Sequence, residues 1–447
     1  MQRLRDSFRE LANSEFYRNI AGLFSGIFAA RLVPALFALI IARLYAPEHF
    51  GDFVLFLTIA SFISILATGG YERALLLASD ENDKRHIFSF AMKVNLVVNL
   101  VVAILLLIVA WLGSDWQTGR MINLLLVPIY SFFFGSVQLV RNLLISTKSF
   151  KKLSALEFLR AILGGIAQTA FFIWPEAGLF LGITLSQIVT YFYYALKLPA
   201  ASGIGVPRFR EDEIRLAKRY VNFPKFSVPS EMFNFLSSQL PVFMIKPFFG
   251  EVMLGLYSFS HRYLSIPVQL TSISIGSVYV QKAQSLKDDP SALSALTADL
   301  FRKQFRLAVI PFTVLTLWGE EIFTLLFGIE WAFSGRLAQI MAPWLFAVYI
   351  GSPLATILVV REKQRISMIY NITLLAARAL ALLAGGLWLK DISLTIGLFS
   401  AIGFLFFTGL TLYSFRLANV KWSPAFRFVI IQLLIMAVPL ILLKLWL

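Results

Sequence analysis

The stretch from Asn19 to Phe53 constrains the fold most, because it is apolar enough for a membrane helix yet contains an arginine. A helix needs roughly 20 mostly apolar residues to cross a bilayer, and residues 20–43 satisfy this with Arg31 near their middle. An arginine at the centre of an isolated membrane helix costs roughly 2.5–3.5 kcal/mol on insertion scales. Arg31 is therefore predicted to face protein or a water-filled cavity that the rest of the chain encloses.

Composition indicates a membrane protein that crosses the bilayer many times. Of the 447 residues 58% are hydrophobic and only 15% are charged, and the mean hydropathy is +0.76, whereas about a quarter of the residues of soluble domains are charged. No polar stretch reaches the roughly 50 residues of a small domain, which excludes a separate catalytic domain. The thirteen predicted crossings are 20–43, 53–78, 87–112, 121–145, 157–174, 178–197, 223–248, 252–280, 303–323, 336–360, 366–389, 392–416 and 426–446.

The net charge of +15 is explained by the membrane, without a nucleic-acid partner. If each apolar run is one crossing, about thirty of the Lys and Arg residues lie on one side and about six on the other. Because positive residues favour the cytoplasmic side, the N-terminus is predicted to be cytoplasmic. The absence of cysteine excludes disulfides and thiolate metal sites.

A basic segment that contains proline and glycine, residues 198–222, divides the crossings. We predict an all-α polytopic protein of two six-helix lobes, 1–197 and 223–416, joined by a cytoplasmic linker and followed by an additional helix within 417–447. Residues 211–220 of the linker are expected to be a helix on the lipid headgroups or a solvated connector. A faint repeat, which predicts parallel pseudo-symmetric lobes, pairs Pro34, Arg43, Glu48, Gly51 and Phe53 with Pro241, Lys246, Glu251, Gly255 and Tyr257.

Polar residues inside apolar runs are the candidate functional residues, because they are costly in a membrane. Basic groups outnumber acidic ones, which predicts a central cavity suited to an anionic ligand. The alternatives are structural ion pairs for the arginines, an extended Lys93 that reaches the headgroups, and either proton transfer or simple hydrogen bonding for His261. The predicted cavity residues are Arg31, Arg73, Lys93, Asn234, His261, Arg262, Gln269 and Arg378, with Glu72 and Glu231 as gating or ion-pair partners, and no catalytic or metal-binding residue is predicted.

Several stretches in order give the chain its resemblance to a known family. They are Asn19-Ile20 with Gly22, ARLYAPEHFGDF from Ala42, GGYERALLLA from Gly69, YVNFPKFSVPSEM from Tyr220, GLYSFSHRYLSIP from Gly255 and LFGIEWAFSG from Leu326. On these residues the chain resembles the polysaccharide flippases of the multidrug/oligosaccharidyl-lipid/polysaccharide exporter superfamily, of the O-antigen translocase type.

The resemblance implies two six-helix lobes around a cavity that opens alternately to each side of the bacterial inner membrane. It implies transport of an undecaprenyl-pyrophosphate-linked oligosaccharide from the inner to the outer leaflet, for surface polysaccharide such as the O-antigen of lipopolysaccharide. By position, Arg31 and Arg262 look like the cavity arginines of related flippases. No bound cofactor is expected, and coupling to protons, sodium or the membrane potential stays open.

Two other functions compete with transport of a lipid-linked glycan. A drug exporter of the same fold would be expected to place surplus acid in its cavity, and a membrane polysaccharide polymerase or ligase would be expected to carry a long outer loop. Membrane lipids and other polysaccharide-assembly proteins are the expected partners of a monomer. The identity of the glycan, and whether 426–446 crosses the membrane, stay open.

Overall fold

The computed structural model describes residues 32–78, 80–112, 118–198, 209–361 and 363–434, together with residues 438, 440, 443 and 444 near the C-terminus. The described residues are 92% helical, and no strand occurs among them. Ten of the described helices are long and apolar enough to cross a membrane. The prediction of an all-α protein with many membrane crossings is therefore confirmed. The described part of the chain forms two compact units, 32–45 with 52–239 and 46–51 with 240–434.

The helices of the first unit follow one another with short connections. They are α1 (Leu32–Leu44), the greater part of α2 (Pro47–Ala67), α3 (Tyr71–Leu77), α4 (Glu81–Leu112), α5 (Thr118–Ser146), α6 (Phe150–Ala170), α7 (Pro175–Lys197), α8 (Glu211–Arg219) and α9 (Val228–Ser238). The predicted crossing 53–78 does not run straight to its end. Gly69 and Gly70 have φ of 60° and 73°, a left-handed backbone that glycine adopts without steric cost, and this turn separates α2 from α3.

The first unit has a buried core and an apolar outer surface. Its core includes Phe88, Leu144 and Leu216 from α4, α5 and α8. On α4, by contrast, Leu100, Ile104 and Ile108 are about half exposed. Side chains four residues apart lie on one face of a helix, so these residues form a continuous apolar stripe. A bilayer accounts for that stripe, since large exposed apolar patches are rare on soluble proteins.

The second unit contains longer helices with internal breaks. They are α10 (Leu240–Ser285), α11 (Pro290–Phe327), α12 (Ala332–Ala355), α13 (Ile357–Val360), α14 (Gln364–Ala384), α15 (Ile392–Leu417) and α16 (Trp422–Gln432). Within α10, Gly250 has a non-helical backbone with φ 85° and ψ 174°. The break lies between the predicted crossings 223–248 and 252–280. Helix α16 covers the start of the predicted run 426–446, and only 438, 440, 443 and 444 are described in the last part of that run, 435–446.

Two glycines of the predicted repeat make reciprocal contacts within the second unit. A Cβ on Gly51 would clash with the carbonyl of Glu251, and a Cβ on Gly255 would clash with the carbonyl of Pro47. Each carbonyl belongs to the residue four positions before a glycine. The two stretches therefore cross with their backbones in contact, which only residues without a side chain permit.

Residues 223–239, which the sequence analysis places in the second lobe, pack in the first unit. They form a π-helical turn (Phe223–Ser227) followed by α9. A Cβ on Gly70 would lie 3.1 Å from a methyl carbon of Val228, so the start of α9 lies against the turn after α2. Helix α8 of the predicted linker also belongs to the first unit, where it contributes Leu216 to the core.

Candidate functional site

The turn at Gly69 and Gly70 brings Glu72 and Arg73 toward α9. Arg73 Nη2 forms an ion pair with Glu231 Oε2, and Arg73 Nε lies 4.0 Å from Glu72 Oε1. Arg73 and Glu231 are about one-third exposed, whereas Glu72 is mostly buried. The positive charge of Arg73 is thus offset by carboxylates of the same unit, as the ion-pair alternative predicted.

A second ion pair joins Lys93 of α4 to Glu213 of α8. Lys93 Nζ donates to both carboxylate oxygens, at 2.8 Å to Oε1 and 2.7 Å to Oε2. The two side chains are only 5% and 2% exposed. The backbone N–H of Arg210 also donates to Glu213 Oε2, at 3.0 Å. Lys93 is therefore held inside the first unit and does not extend to the headgroups.

The pKa of Glu213 reflects these contacts. Burial acts to raise it, but hydrogen bonds from Lys93, the Arg210 N–H and Ser89 together hold the pKa of this carboxyl below its usual value. Donors to a carboxylate favour its charged form, and here they outweigh desolvation. Glu213 therefore keeps its charge while it is buried.

The sequence alone does not indicate Glu213 as a partner for a buried cation, because Glu213 lies in a connector and not in a membrane segment. A solvated or headgroup-bound connector was expected at 211–220, yet Glu213 and Leu216 of α8 are buried. One feature of the sequence does indicate a missing carboxylate partner. Lys93 lies within an apolar run, and no acidic residue of the membrane segments is an obvious partner for it. The polar residues between α4 and α5 are also structural, since Asn95 donates to the carbonyl of Phe132 and to Ser136, at 2.9 and 3.2 Å.

In the second unit, helix α10 places two adjacent polar residues in different surroundings. His261 stacks on Tyr257, with ring centroids 5.7 Å apart, and on Trp344 of α12, at 5.9 Å. Its Nε2 lies 3.3 Å from Ser265 Oγ. Arg262 is exposed, and no ion pair of Arg262 occurs within the described residues. Among the described residues, Arg262 is therefore a cation without an ion-pair partner on an apolar helix.

Arg378 of α14 lies between two aromatic rings. Its Cζ is 4.5 Å from the ring centroids of both Trp344 and Phe399, a cation–π arrangement. Its Nε and Nη2 are buried and have no hydrogen-bond partner in the described part of the chain. Arg378 thus lies at the same aromatic cluster as His261 but, unlike Arg73, has no described carboxylate beside it.

The other predicted cavity residues are not placed. Arg31 and the side chains of Asn234 and Gln269 lie outside what the structure describes, and their roles stay predictions. Within the residues that are described, no group of three His, Asp or Glu side chains could hold a metal ion.

The sequence matches a family of known proteins over most of its length. The family model described as polysaccharide biosynthesis protein matches residues 40–334. A relative, the succinoglycan biosynthesis transport protein ExoT of Rhizobium meliloti (strain 1021), is 23% identical over 315 residues. The match covers 68% of this chain and 60% of that relative, so the chain spans less than two-thirds of the relative's length.

Solved structures of transporters share the fold. The lipid II flippase MurJ in an inward closed conformation superposes with a TM-score of 0.71 at 13% identity, covering 93% of this chain and 92% of that one. A MOP superfamily transporter from Pyrococcus furiosus, described as having a binding pocket of reversed polarity, gives 0.59 at 12% identity over 92% and 98%. A multidrug resistance MATE transporter gives 0.56 at 14% identity over 90% and 96%.

Proposed function

Because this chain belongs to the family of polysaccharide biosynthesis proteins, we propose that it flips a lipid-linked oligosaccharide across a bacterial cytoplasmic membrane. The cargo moves from the inner to the outer leaflet, and the N-terminus is cytoplasmic. The transport role named for the relative ExoT and the flippase role named for MurJ support this proposal. The protein acts on its cargo without chemical conversion, and the membrane potential or a proton or sodium gradient supplies the driving force.

The observation that carries the proposal is unpaired positive charge in the membrane helices of the second unit. Of the described deep cations, Arg73 and Lys93 are paired with carboxylates. Arg262 of the second unit is exposed and has no ion-pair partner among the described residues. Surplus positive charge favours an anionic cargo over the small cations that a drug exporter carries.

The chemistry of the cargo explains why arginine is needed. A pyrophosphate cannot cross hydrocarbon unaided, because desolvating one isolated charge costs several kcal/mol or more. A guanidinium replaces lost hydration with paired donors that match phosphate oxygens, and it stays charged when partly buried. At an effective dielectric near 20, one contact at about 4 Å contributes about 4 kcal/mol before desolvation. Arg262, and Arg31 by prediction, are the residues that hold the pyrophosphate.

Transport also requires release, which follows from a difference in affinity between states. A ligand shifts a conformational equilibrium only by its differential affinity for the two states. Cargo that binds the cationic residues more tightly in the inward-open state than in the outward-open one is captured and then released. The glycan itself needs only a hydrated path, and the shape of that path determines which glycans the protein can transport.

The test is a flipping assay in proteoliposomes with a fluorescent undecaprenyl-pyrophosphate-linked oligosaccharide. The wild type, Arg262→Ala, Arg262→Lys and a control, Arg302→Ala, are reconstituted in equal amount. Arg302 is an exposed arginine of the same unit. We expect the alanine variant at position 262 to lose most of the transport, the lysine variant to keep part of it, and the control to behave as wild type.

Two outcomes would contradict the proposal in different ways. Normal transport by folded Arg262→Ala would remove Arg262 from the pyrophosphate site. Failure of the wild type to flip this lipid, together with export of a cationic dye, would instead favour a drug exporter. In cells, loss of surface polysaccharide with accumulation of the lipid-linked intermediate on the inner leaflet is the matching result.

A further inference from the structure

The guanidinium of Arg378 has an unusual environment in the second unit. The faces of Trp344 and Phe399 cover it, at 4.5 Å from Cζ to each ring centroid. Ring faces attract the positive charge but do not accept the in-plane N–H groups as a carboxylate does. Nε and Nη2 consequently stay buried without an acceptor in the described part of the chain.

Other unpaired polar groups lie on the helices around Arg378, and several of them are hydrogen-bond donors. Trp344 Nε1 and Tyr370 Oη are buried and without a partner among the described residues. An indole N–H can only donate, and so can a guanidinium. Tyr370 lies eight residues before Arg378 on α14, a spacing that places the two side chains on one face of the helix. The cluster therefore offers donors and a positive charge but no described negative group.

Gly403 of α15 shows that two of these donors are close together. A Cβ built on Gly403 would lie 2.5 Å from Arg378 Nη2 and 2.7 Å from Trp344 Nε1. Both nitrogens therefore approach one point on the α15 backbone, where any side chain would displace them. Two N–H donors this close together, one of them charged, can bind the same anion.

We propose that Arg378, Trp344 and Tyr370 form a binding site for one small monovalent anion of halide size inside the second unit. An unpaired buried charge is strongly unfavourable in a protein interior, and a single negative charge would neutralise the single guanidinium. The close packing of Arg378 and Trp344 against Gly403 favours a small anion over a bulky group such as a diphosphate. This site is separate from the cargo site proposed at Arg262, and the proposal does not depend on which lipid is transported.

The experiment measures thermal unfolding of the purified full-length protein in detergent. Sodium chloride is titrated against sodium gluconate, whose anion is too large for the site, at constant ionic strength. A ligand that binds only the folded state raises its stability in proportion to the logarithm of concentration above Kd. We expect the wild-type Tm to rise with chloride and with bromide, and to keep rising with the logarithm of concentration above Kd.

Variants show which residues are responsible for the chloride dependence of the Tm. Arg378→Met should abolish the chloride dependence, whereas Arg365→Met should keep it, since Arg365 is an exposed arginine on the same helix. Trp344→Phe keeps a ring over the guanidinium and removes one N–H. It should weaken apparent chloride affinity roughly tenfold, the effect of one hydrogen bond to a charged group. Bromide density located by anomalous scattering should lie beside Arg378.

Some outcomes would overturn the site. A wild-type Tm that is the same in chloride and gluconate would do so, and so would an equal chloride dependence in Arg378→Met. If Arg378→Met does not fold, Trp344→Phe and Tyr370→Phe decide, because unchanged chloride affinity in both would contradict the proposal. The readout uses no lipid-linked cargo, so failure here leaves the transport proposal intact, and failure of transport leaves this one intact.

Discussion

The two units differ in how the cations of their apolar helices are paired. In the first unit, Lys93 has both oxygens of Glu213 at 2.7 and 2.8 Å, and Arg73 is paired with Glu231. In the second unit, Arg262 is exposed and Arg378 is covered by rings rather than by a described carboxylate. Both units are apolar helical bundles, so the difference lies in the positions of their acidic side chains.

This difference separates structural from ligand-binding charge. A cation whose partner lies in the same unit contributes to folding, and its field is largely cancelled at a distance. A cation without such a partner carries a cost that a ligand can remove. The first unit therefore uses its described deep cations for structure, and the second unit has cations available for anionic ligands.

The largest effect should come from breaking the buried pair of the first unit. Lys93→Met leaves Glu213 as an uncompensated buried charge, which typically costs about 3–5 kcal/mol. Thermal unfolding in detergent should show a large drop in Tm. Lys218→Met, a change at an exposed lysine on α8, should stay within about 0.5 kcal/mol of wild type.

The double variant Lys93→Met with Glu213→Leu distinguishes a lost charge pair from lost packing. Replacing both partners by apolar groups is often neutral, so much of the stability should return. If the double variant is as unstable as Lys93→Met alone, the uncompensated charge of Glu213 does not account for the loss of stability.

A smaller, pH-dependent effect should come from Glu213. Its pKa is lowered in the folded state, so its contribution to stability is complete above the ordinary value of 4.5 and is lost as pH falls through the lower folded value. The Tm of the wild type should therefore decline with acid below about pH 4.5 more steeply than that of Glu213→Gln. Parallel pH profiles for the two proteins would contradict the assignment.

The fold was predictable because its signal is long and repeated, whereas the pairing of charges was not. Each crossing needs a run of apolar residues, and the break between the predicted runs 223–248 and 252–280 lies at Gly250, as the structure has it. The ion pair between Arg73 and Glu231 was among the possibilities, because few deep acids were available. Glu213 was missed, because its burial depends on how a linker helix folds back onto α4.

Arg378 shows a different limit of sequence reasoning. Its depth in an apolar run predicted that it would avoid lipid, which fits its mostly buried guanidinium. The rings of Trp344 and Phe399 come from two other helices, α12 and α15, and no spacing rule within α14 indicates them. Periodicity identifies a buried face, but it does not say which side chains of other helices cover that face.

The smallest effect on stability, and the sharpest test of the comparison, concerns Arg73 and Arg262. Arg73 and Glu231 are about one-third exposed, and pairs of this kind contribute about 0.2–1 kcal/mol. Arg73→Ala should therefore destabilise the protein slightly, and Arg262→Ala by no more than about 0.5 kcal/mol.

Transport should reverse that order, because of these two arginines Arg73 has a carboxylate partner and Arg262 has none among the described residues. Exchanging the partners, Arg73→Glu with Glu231→Arg, should keep both the stability and the flipping of the wild type, whereas no change in the first unit should rescue Arg262→Ala. If Arg73→Ala abolishes flipping and the exchange does not restore it, Arg73 contacts the cargo. The first unit would then supply ligand-binding charge as well, and the contrast between the units would fail.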